Sequence, residues 1–342
     1  MIVTRLAPET LIAANGKPQY GQFDGIPKQL AIEEFDYRNT MDGKASALRR
    51  YFHYKQFQFV SVITDRYVIG VAIADIRYLG SAFCYVYDIE KNELIENNWL
   101  RPLNCGYATA PSPYTSFAHI ASKQIQFHLF EGGWQVKLNT KNVKADLTLS
   151  APSGSLPLAM CTPTGYTGWT YTQKHNALSV QGILEIGGEP VPLDFALAGY
   201  DFSAGYMRRE TSWRWASINT CLGETTLGLN LAAGVNETGS CENVLWLNGE
   251  RHFLSNVHFE FDRDSSDQDN IDQHWRVFSE DGCVDLVFKP LNKRSEKLNL
   301  WLLKSNFRQF VGQFSGSIKD NHGQVHHLDE VLGLTEDHFA RW

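Results

Sequence analysis

The 342-residue sequence has no run of 18 uninterrupted apolar residues, the length that a membrane-crossing helix needs. Its first ten residues, Met1 to Thr10, lack the apolar core of a signal peptide. The expectation is a soluble, cytoplasmic chain without membrane insertion. Positive charge is also short: 31 Lys and Arg stand against 38 Asp and Glu, a net charge of −7. Such a balance disfavours an electrostatic grip on nucleic acid or on an anionic membrane surface, so neither is an expected partner.

The six cysteines, Cys84, Cys105, Cys161, Cys221, Cys241 and Cys283, contain no C-x-x-C pair, a pattern that predicts buried reduced thiols and no metal knuckle. Phosphate-binding glycine loops, H-E-x-x-H and kinase signatures are missing. Gly312-Gln313-Phe314-Ser315-Gly316 sets its serine one place too late for a nucleophile elbow. The Asn236-Glu237-Thr238 sequon has no secretory signal and is expected to be coincidental. The acidic stretch from Asp262 to Asp269 lacks the glycine and the closing glutamate of a calcium loop, so a solvated loop is expected. His322, His326 and His327 have no further Cys or carboxylate at ligand spacing, which predicts a polar turn; no metal and no cofactor is expected.

What the sequence has in quantity is aromatic side chains, 20 Phe, 14 Tyr and 9 Trp, alongside 27 Gly. Three turn signals can be tested as hairpins, because a two-residue turn fixes the register of both strands. At Gly132-Gly133 the construction puts Leu129 opposite Val136 and Phe127 opposite Leu138. At Asp281-Gly282 it pairs Trp275 with Phe288, Val277 with Leu286 and Ser279 with Val284. At Asn248-Gly249 it pairs Val244 with Phe253 and Leu245 with His252, with both faces mixed: the strand is either covered on each side or lines a polar cavity.

Further strand-like runs lie at 56–63, 68–74, 145–149, 178–186, 191–198, 225–235 and 298–303. Helical periodicity is weak throughout. Strands recurring over more than 300 residues predict an all-β protein of two antiparallel barrels or sandwiches, with few short helices. The Pro/Gly/Ser-rich stretch at 150–157 and a second break near 163–168 predict domains at 1–165 and 166–342.

Reactive side chains concentrate between Gly199 and Trp215. In extended chain Trp213 and Trp215 share a face with Arg214 opposite, so the indoles either pack in a core or wall a cavity. Asp201 lies close in sequence to Arg208, Arg209 and Glu210, and an Asp–Arg pair is the structural alternative to a catalytic role.

The string from Asp201 to Ala216 resembles the signature of the bacterial family of unknown function DUF2804. So do Gly21 to Pro27, Gly228 to Leu231, Gly234 to Asn236, Glu242-Asn243, Val284 to Pro290 and the closing Gly333 to Trp342. More distantly, that family is similar to the two-domain lipocalin-like proteins that include carotenoid 1,2-hydratases, AttH-type proteins and fungal cyclases of polyenes. The resemblance implies two lipocalin-like β-barrel domains and an apolar cavity near their interface, walled by Trp213, Trp215 and Trp246. An apolar, lipid- or isoprenoid-like small molecule is then the expected partner.

Proton addition to such a ligand, giving hydration, isomerisation or cyclisation, needs a carboxylic acid kept protonated by burial beside aromatic faces. Asp201 is the first candidate acid, with Glu242 and Glu336 as alternatives. Arg209 is the candidate to orient the acid or a polar ligand end, with Tyr206 and Asn243 as further ligand-binding candidates. A carrier that binds without reaction, or an interaction scaffold, are the competing readings.

Overall fold

The computed structural model describes residues 3–234, 240–262, 273–300 and 303–342. The sequon and the acidic stretch beyond Asp262 lie outside the described residues. The chain divides into two compact units, Met1–Val86 with Ile95–Arg208, and Tyr87–Leu94 with Arg209–Trp342. The Pro/Gly/Ser-rich stretch at 150–157 joins two strands of the first unit, Val143–Ser150 and Leu158–Thr164. The residues near 165 form the turn between Leu158–Thr164 and Gly168–Ile186, which pair antiparallel within that same unit.

The protein is all-β, with two curled antiparallel sheets, one barrel-like and one a half-barrel. Both follow one plan, in which the last strand returns to pair with an early one. In the first unit Leu197–Gly205 pairs with Lys55–Ile63. A meander then runs outward on each side of that pair, through Tyr67–Asp75, Leu79–Asp88 and Glu93–Pro102 in one direction and Gly168–Ile186 and Val143–Ser150 in the other. In the second unit Val325–Arg341 pairs with Glu210–Leu222. Thr225–Ala233, Val244–Leu247 and Glu250–Phe253 follow on one side, and Leu303–Lys319, Val284–Leu300 and Trp275–Ser279 on the other. Among the described residues there is one α-helix, Ala47–His53, capped by Ser46, whose hydroxyl accepts from the Arg49 N–H. No described helix is long and apolar enough to cross a membrane.

Two of the three hairpins have the expected register. Trp275 opposes Phe288 and Val277 opposes Leu286, with Ser279 Oγ accepting from the Val284 N–H at 2.9 Å. Val244 opposes Phe253 and Leu245 opposes His252. Both turn residues of that second hairpin, Asn248 and Gly249, have positive φ, as a type I′ turn requires. Val244, Leu245 and Trp246 are all fully buried, so the strand is covered on both faces.

The third hairpin differs. The turn sits on Glu131 and Gly132, both at positive φ, and Leu129 opposes Trp134 while Phe127 opposes Val136. The slip is two residues, so each side chain keeps its face and Phe127, Leu129, Val136 and Leu138 still point into the core. Two strand runs also differ. Residues 191–196 form a turn-containing connection and the strand starts only at Leu197. Leu300 pairs with Leu303, so the chain reverses where one continuous strand was expected.

Apolar burial explains the curl. The second core gathers Trp275, Phe288, Phe310 and Phe314, with the Phe288 and Phe314 rings 4.7 Å apart. Burying each such ring is worth about 2–3 kcal/mol. The 17-residue strands Val284–Leu300 and Leu303–Lys319 reach round that core by bending at a bulge between Pro290 and Asn292. Gly312 faces Pro290 there, and a Cβ at this position would lie 2.5 Å from the Phe288 ring, so only glycine lets the strands close.

Of the cysteines, only Cys84 and Cys161 are buried. Cys105 and Cys221 are exposed and Cys241 and Cys283 intermediate, so the expectation of six buried thiols holds for two. Burial pushes the Cys84 thiol up to about 12, and Cys161 moves the same way.

Candidate functional site

Strand alternation decides which side chains meet in the second unit. Ala216, Ile218 and Phe310 face the core, so Trp213, Trp215, Glu336, His338, Phe307 and Gln309 point from the opposite face of the same sheet. The register lines them up in two adjacent rungs. Arg294, Gln309, Glu336 and Trp215 form one, and Glu296, Phe307, His338 and Trp213 form the next. The two tryptophans share a face, and Arg214 on the other is paired with Asp337 at 3.3 Å.

The rungs are bonded diagonally. The Trp213 indole N–H donates to Glu336 Oε1 at 2.8 Å, and the Gln309 amide donates to Glu336 Oε2 at 3.1 Å. Both oxygens of Glu336 are thus occupied as acceptors. The His338 ring is held between aromatic neighbours, 4.2 Å from Trp213 and edge-on to Phe307 at 4.9 Å. Its Nε2 is 2.9 Å from the Ser305 hydroxyl. Its Nδ1 is buried, makes no hydrogen bond, and stands 3.7 Å from Glu336 Oε1. Around it Glu336 and Phe307 are buried, while Trp213, His338 and Ser305 are half-buried.

The remaining candidates of the second unit have structural contacts. The Trp215 indole donates to Asn230 Oδ1 at 2.7 Å, and the Asn230 amide donates to the Glu242 carbonyl at 2.6 Å. Asn243 accepts from the Ala232 N–H at 2.8 Å and donates to the Ser255 carbonyl at 2.7 Å, so its whole amide pins backbone. Trp246 is fully buried opposite Gly228. Glu242 is buried and lines a hollow of about 190 Å³ with Ala232, Cys241, Asn256 and Val257. Enclosing a drug-sized ligand takes roughly 300 Å³ or more, so this hollow suits only a few heavy atoms. Arg209 is exposed, and its carbonyl accepts from the Trp342 N–H at 3.0 Å.

Asp201 and Tyr206 belong to the first unit. Tyr206 packs in an aromatic cluster with Tyr37 at 4.5 Å and Phe35 at 4.9 Å, and burial raises its phenol above the ordinary range. Asp201 points from the sheet face opposite the core. It forms an ion pair with Lys174, its register partner, and accepts from the Ser203 hydroxyl at 3.0 Å. The expected arginine partner is therefore replaced by a lysine 27 residues earlier in sequence. Asp201 and Glu336 occupy equivalent places, each on the returning strand of its sheet and each opposed on the paired strand by an aromatic residue, Phe59 and Trp215 respectively.

A second buried ionic group lies in the first unit. Asp75 Oδ2 accepts from Thr109 at 2.7 Å and pairs with Arg77 at 3.3 Å, and the Arg77 guanidinium stacks 4.6 Å from the Tyr54 ring. Lys55, 5 % exposed, donates to the Ile76 carbonyl at 3.0 Å. Burial brings its ammonium down to about 8, with Asp75 opposing the shift and Arg77 adding to it. The unfolded chain then holds more protons than the folded one between about 8 and the ordinary lysine value, so this group's contribution to stability improves as pH rises through that window. Thermal unfolding of Lys55→Met beside the unsubstituted protein should show the latter gaining on the variant from pH 8 to 10. A pH-independent difference would contradict this.

His338, Gln309, Phe307 and Lys174 are the contacts that no motif flagged. For His338 a signal existed, because Glu336 and His338 are two residues apart and a strand puts both on one face.

Comparison with known proteins agrees with the resemblance seen in the sequence. The family model DUF2804, a domain of unknown function, matches residues 6–342. Among solved structures, CghA aligns at 10% identity over 97% of this chain and 97% of that chain with a TM-score of 0.54. CghA with Sch210972 aligns at 10% identity over 97% of each chain with a TM-score of 0.51. Kievitone hydratase from Nectria haematococca aligns at 12% identity over 84% of this chain and 88% of that chain with a TM-score of 0.48. At 10% identity the likeness to CghA is one of fold, and it bears out the lipocalin-like architecture. A search of curated proteins finds no match to the sequence.

Proposed function

The chain belongs to the DUF2804 family, and we propose that it binds an apolar, isoprenoid- or polyene-like small molecule at the Trp213 face of its second unit and adds a proton to it there. One observation carries this: His338 Nδ1 is buried and unbonded, between two aromatic rings and 3.7 Å from a glutamate oxygen. An imidazole nitrogen beside a carboxylate and two aromatic faces is a proton donor set where a developing cation is favoured.

In the proposed step the proton on Nδ1 of the His338 imidazolium passes to one alkene carbon. The π pair forms the new C–H bond, and the neighbouring carbon becomes cationic. The Trp213 and Phe307 rings favour a cation by up to about 2 kcal/mol each when water is excluded. Glu336, with both oxygens already accepting N–H bonds, serves as the fixed negative partner. The cation then takes a water oxygen, or is attacked by a second alkene to close a ring, or keeps its skeleton; in each case the proton finally lost, from the oxonium or from a carbon beside the cation, returns to His338 Nδ1 and restores the imidazolium. Asp201, engaged by Lys174 and Ser203, is assigned to stability.

The fold supports ligand binding by analogy, since one structure of it, CghA, holds Sch210972. Native mass spectrometry of the purified protein, followed by solvent extraction, is the test. A stoichiometric apolar molecule is expected, reduced at least tenfold in Trp213→Ala. No such molecule, or one held equally by Trp213→Ala, would remove this face as the site.

A further inference from the structure

An edge strand and a hairpin turn of the second unit bring three ligand-type side chains together, away from the proton-transfer rungs. Glu250 and His252 stand two apart on the strand Glu250–Phe253, so their side chains share a face. His322 lies in the turn between Leu303–Lys319 and Val325–Arg341. One oxygen of Glu250 and one nitrogen from each histidine lie within 4.8 Å of one another. Glu250 Oε1 is 2.8 Å from His322 Nε2 and 3.9 Å from His252 Nε2. The imidazole rings are 5.3 Å apart and nearly perpendicular.

We infer that Glu250, His252 and His322 bind a divalent transition-metal ion, with Zn²⁺ as the best match. Two imidazole nitrogens and a carboxylate oxygen are the donor set of open zinc sites, in which a fourth position is left to water. With metal–ligand bonds of about 2.0–2.2 Å in a tetrahedron, neighbouring donor atoms stand about 3.3 Å apart. The present Glu250 separations of 2.8 and 3.9 Å each need a shift of about half an ångström, the two histidine nitrogens, within 4.8 Å of each other, need at most about 1.5 Å, and Glu250 and His322 are exposed side chains.

The turn that presents His322 is already braced. Asp320 Oδ1 accepts from the His322 and Gln324 N–H groups, both at 2.9 Å, and Asp320 Oδ2 binds His326 Nε2 at 2.9 Å. His252 is buried, so its imidazole is held in place on the strand. Ligation through Nε2 moves the His252 proton to Nδ1 and gives up the contact from the Asn321 N–H, which at 3.4 Å is already long. The Glu250–His322 hydrogen bond is exchanged for two metal bonds. The ion would fasten the sheet's edge strand to a distant turn, 72 residues further along the chain.

Zn²⁺ titration by calorimetry and thermal unfolding, on full-length protein freed of metal with EDTA, tests this. One Zn²⁺ per chain is expected, with a rise in Tm that EDTA reverses. His322→Ala and Glu250→Gln, both on exposed positions, should each weaken binding at least about tenfold and abolish the rise. His258→Ala, an exposed histidine outside the group, should leave both unchanged. Absence of one-to-one binding, or equal binding by His322→Ala and Glu250→Gln, would overturn the assignment.

Discussion

His338→Gln is expected to slow proton addition by about 10²–10⁴-fold, the usual worth of a positioned general acid. Glutamine keeps a polar group near Ser305 and most of the ring's volume, so ligand affinity should change little and the loss should appear in kcat. Glu336→Gln is the companion variant. Its amide presents an N–H₂ group to one of two donors, the Trp213 indole or the Gln309 amide, so one N–H bond is lost and the negative charge beside His338 disappears. Both single variants remove the same proton-holding pair, so the double variant should be little slower than either alone. Single-turnover rates with ligand at saturation measure this. Additive losses would mean that the two residues act separately.

Lys174→Met should lower the unfolding free energy by about 3 kcal/mol, because removal of one partner strands a buried charge that the other had compensated. The Lys174 side chain is 5% exposed and that of Asp201 14%, so water relieves little of the cost. For a unit of this size the loss corresponds to a fall in Tm of about 6–12 °C. Replacing both members, as Lys174→Met with Asp201→Leu, should restore much of the stability, since an apolar pair of similar volume carries no desolvation penalty. Guanidinium unfolding of the three variants separates these outcomes. A single variant as stable as the unsubstituted protein would show that the pair contributes nothing.

The fold was legible wherever turn chemistry and alternation agreed. Asn248-Gly249 and Asp281-Gly282 fixed their registers because a two-residue turn allows one pairing. Glu131-Gly132 was missed because Gly132-Gly133 looks equally turn-like in sequence, and a two-residue slip preserves every face and leaves no trace in the pattern. The stretch at 191–196 is apolar by composition, yet a turn at Asp194 and Phe195 interrupts it.

The site was legible in part. The pairing of Trp213 and Trp215 on one face followed from alternation alone, and Glu336 was a candidate from its residue type. The partners were not legible, because Gln309 and Phe307 arrive from a strand whose register with Val325–Arg341 shifts at a bulge between Phe314 and Gly316. Lys174 was hidden for a related reason: it becomes the partner of Asp201 only through antiparallel pairing across 27 residues. The two Glu-x-His spacings, Glu336/His338 and Glu250/His252, were the overlooked signals. In a strand that spacing puts a carboxylate and an imidazole side by side, with the proton-transfer rung in one case and the metal-type cluster in the other.

The most direct test of proton addition is to incubate the protein in D₂O with the alkene it retains on purification, and to read the product by mass spectrometry. Deuterium bonded to carbon is expected with the unsubstituted protein and is expected to be lost with His338→Gln, while both bind the alkene equally. Deuterium appearing at the same rate with His338→Gln, or none with the unsubstituted protein while the ligand is bound, would contradict the assignment of His338 and Glu336 as the proton-transfer pair.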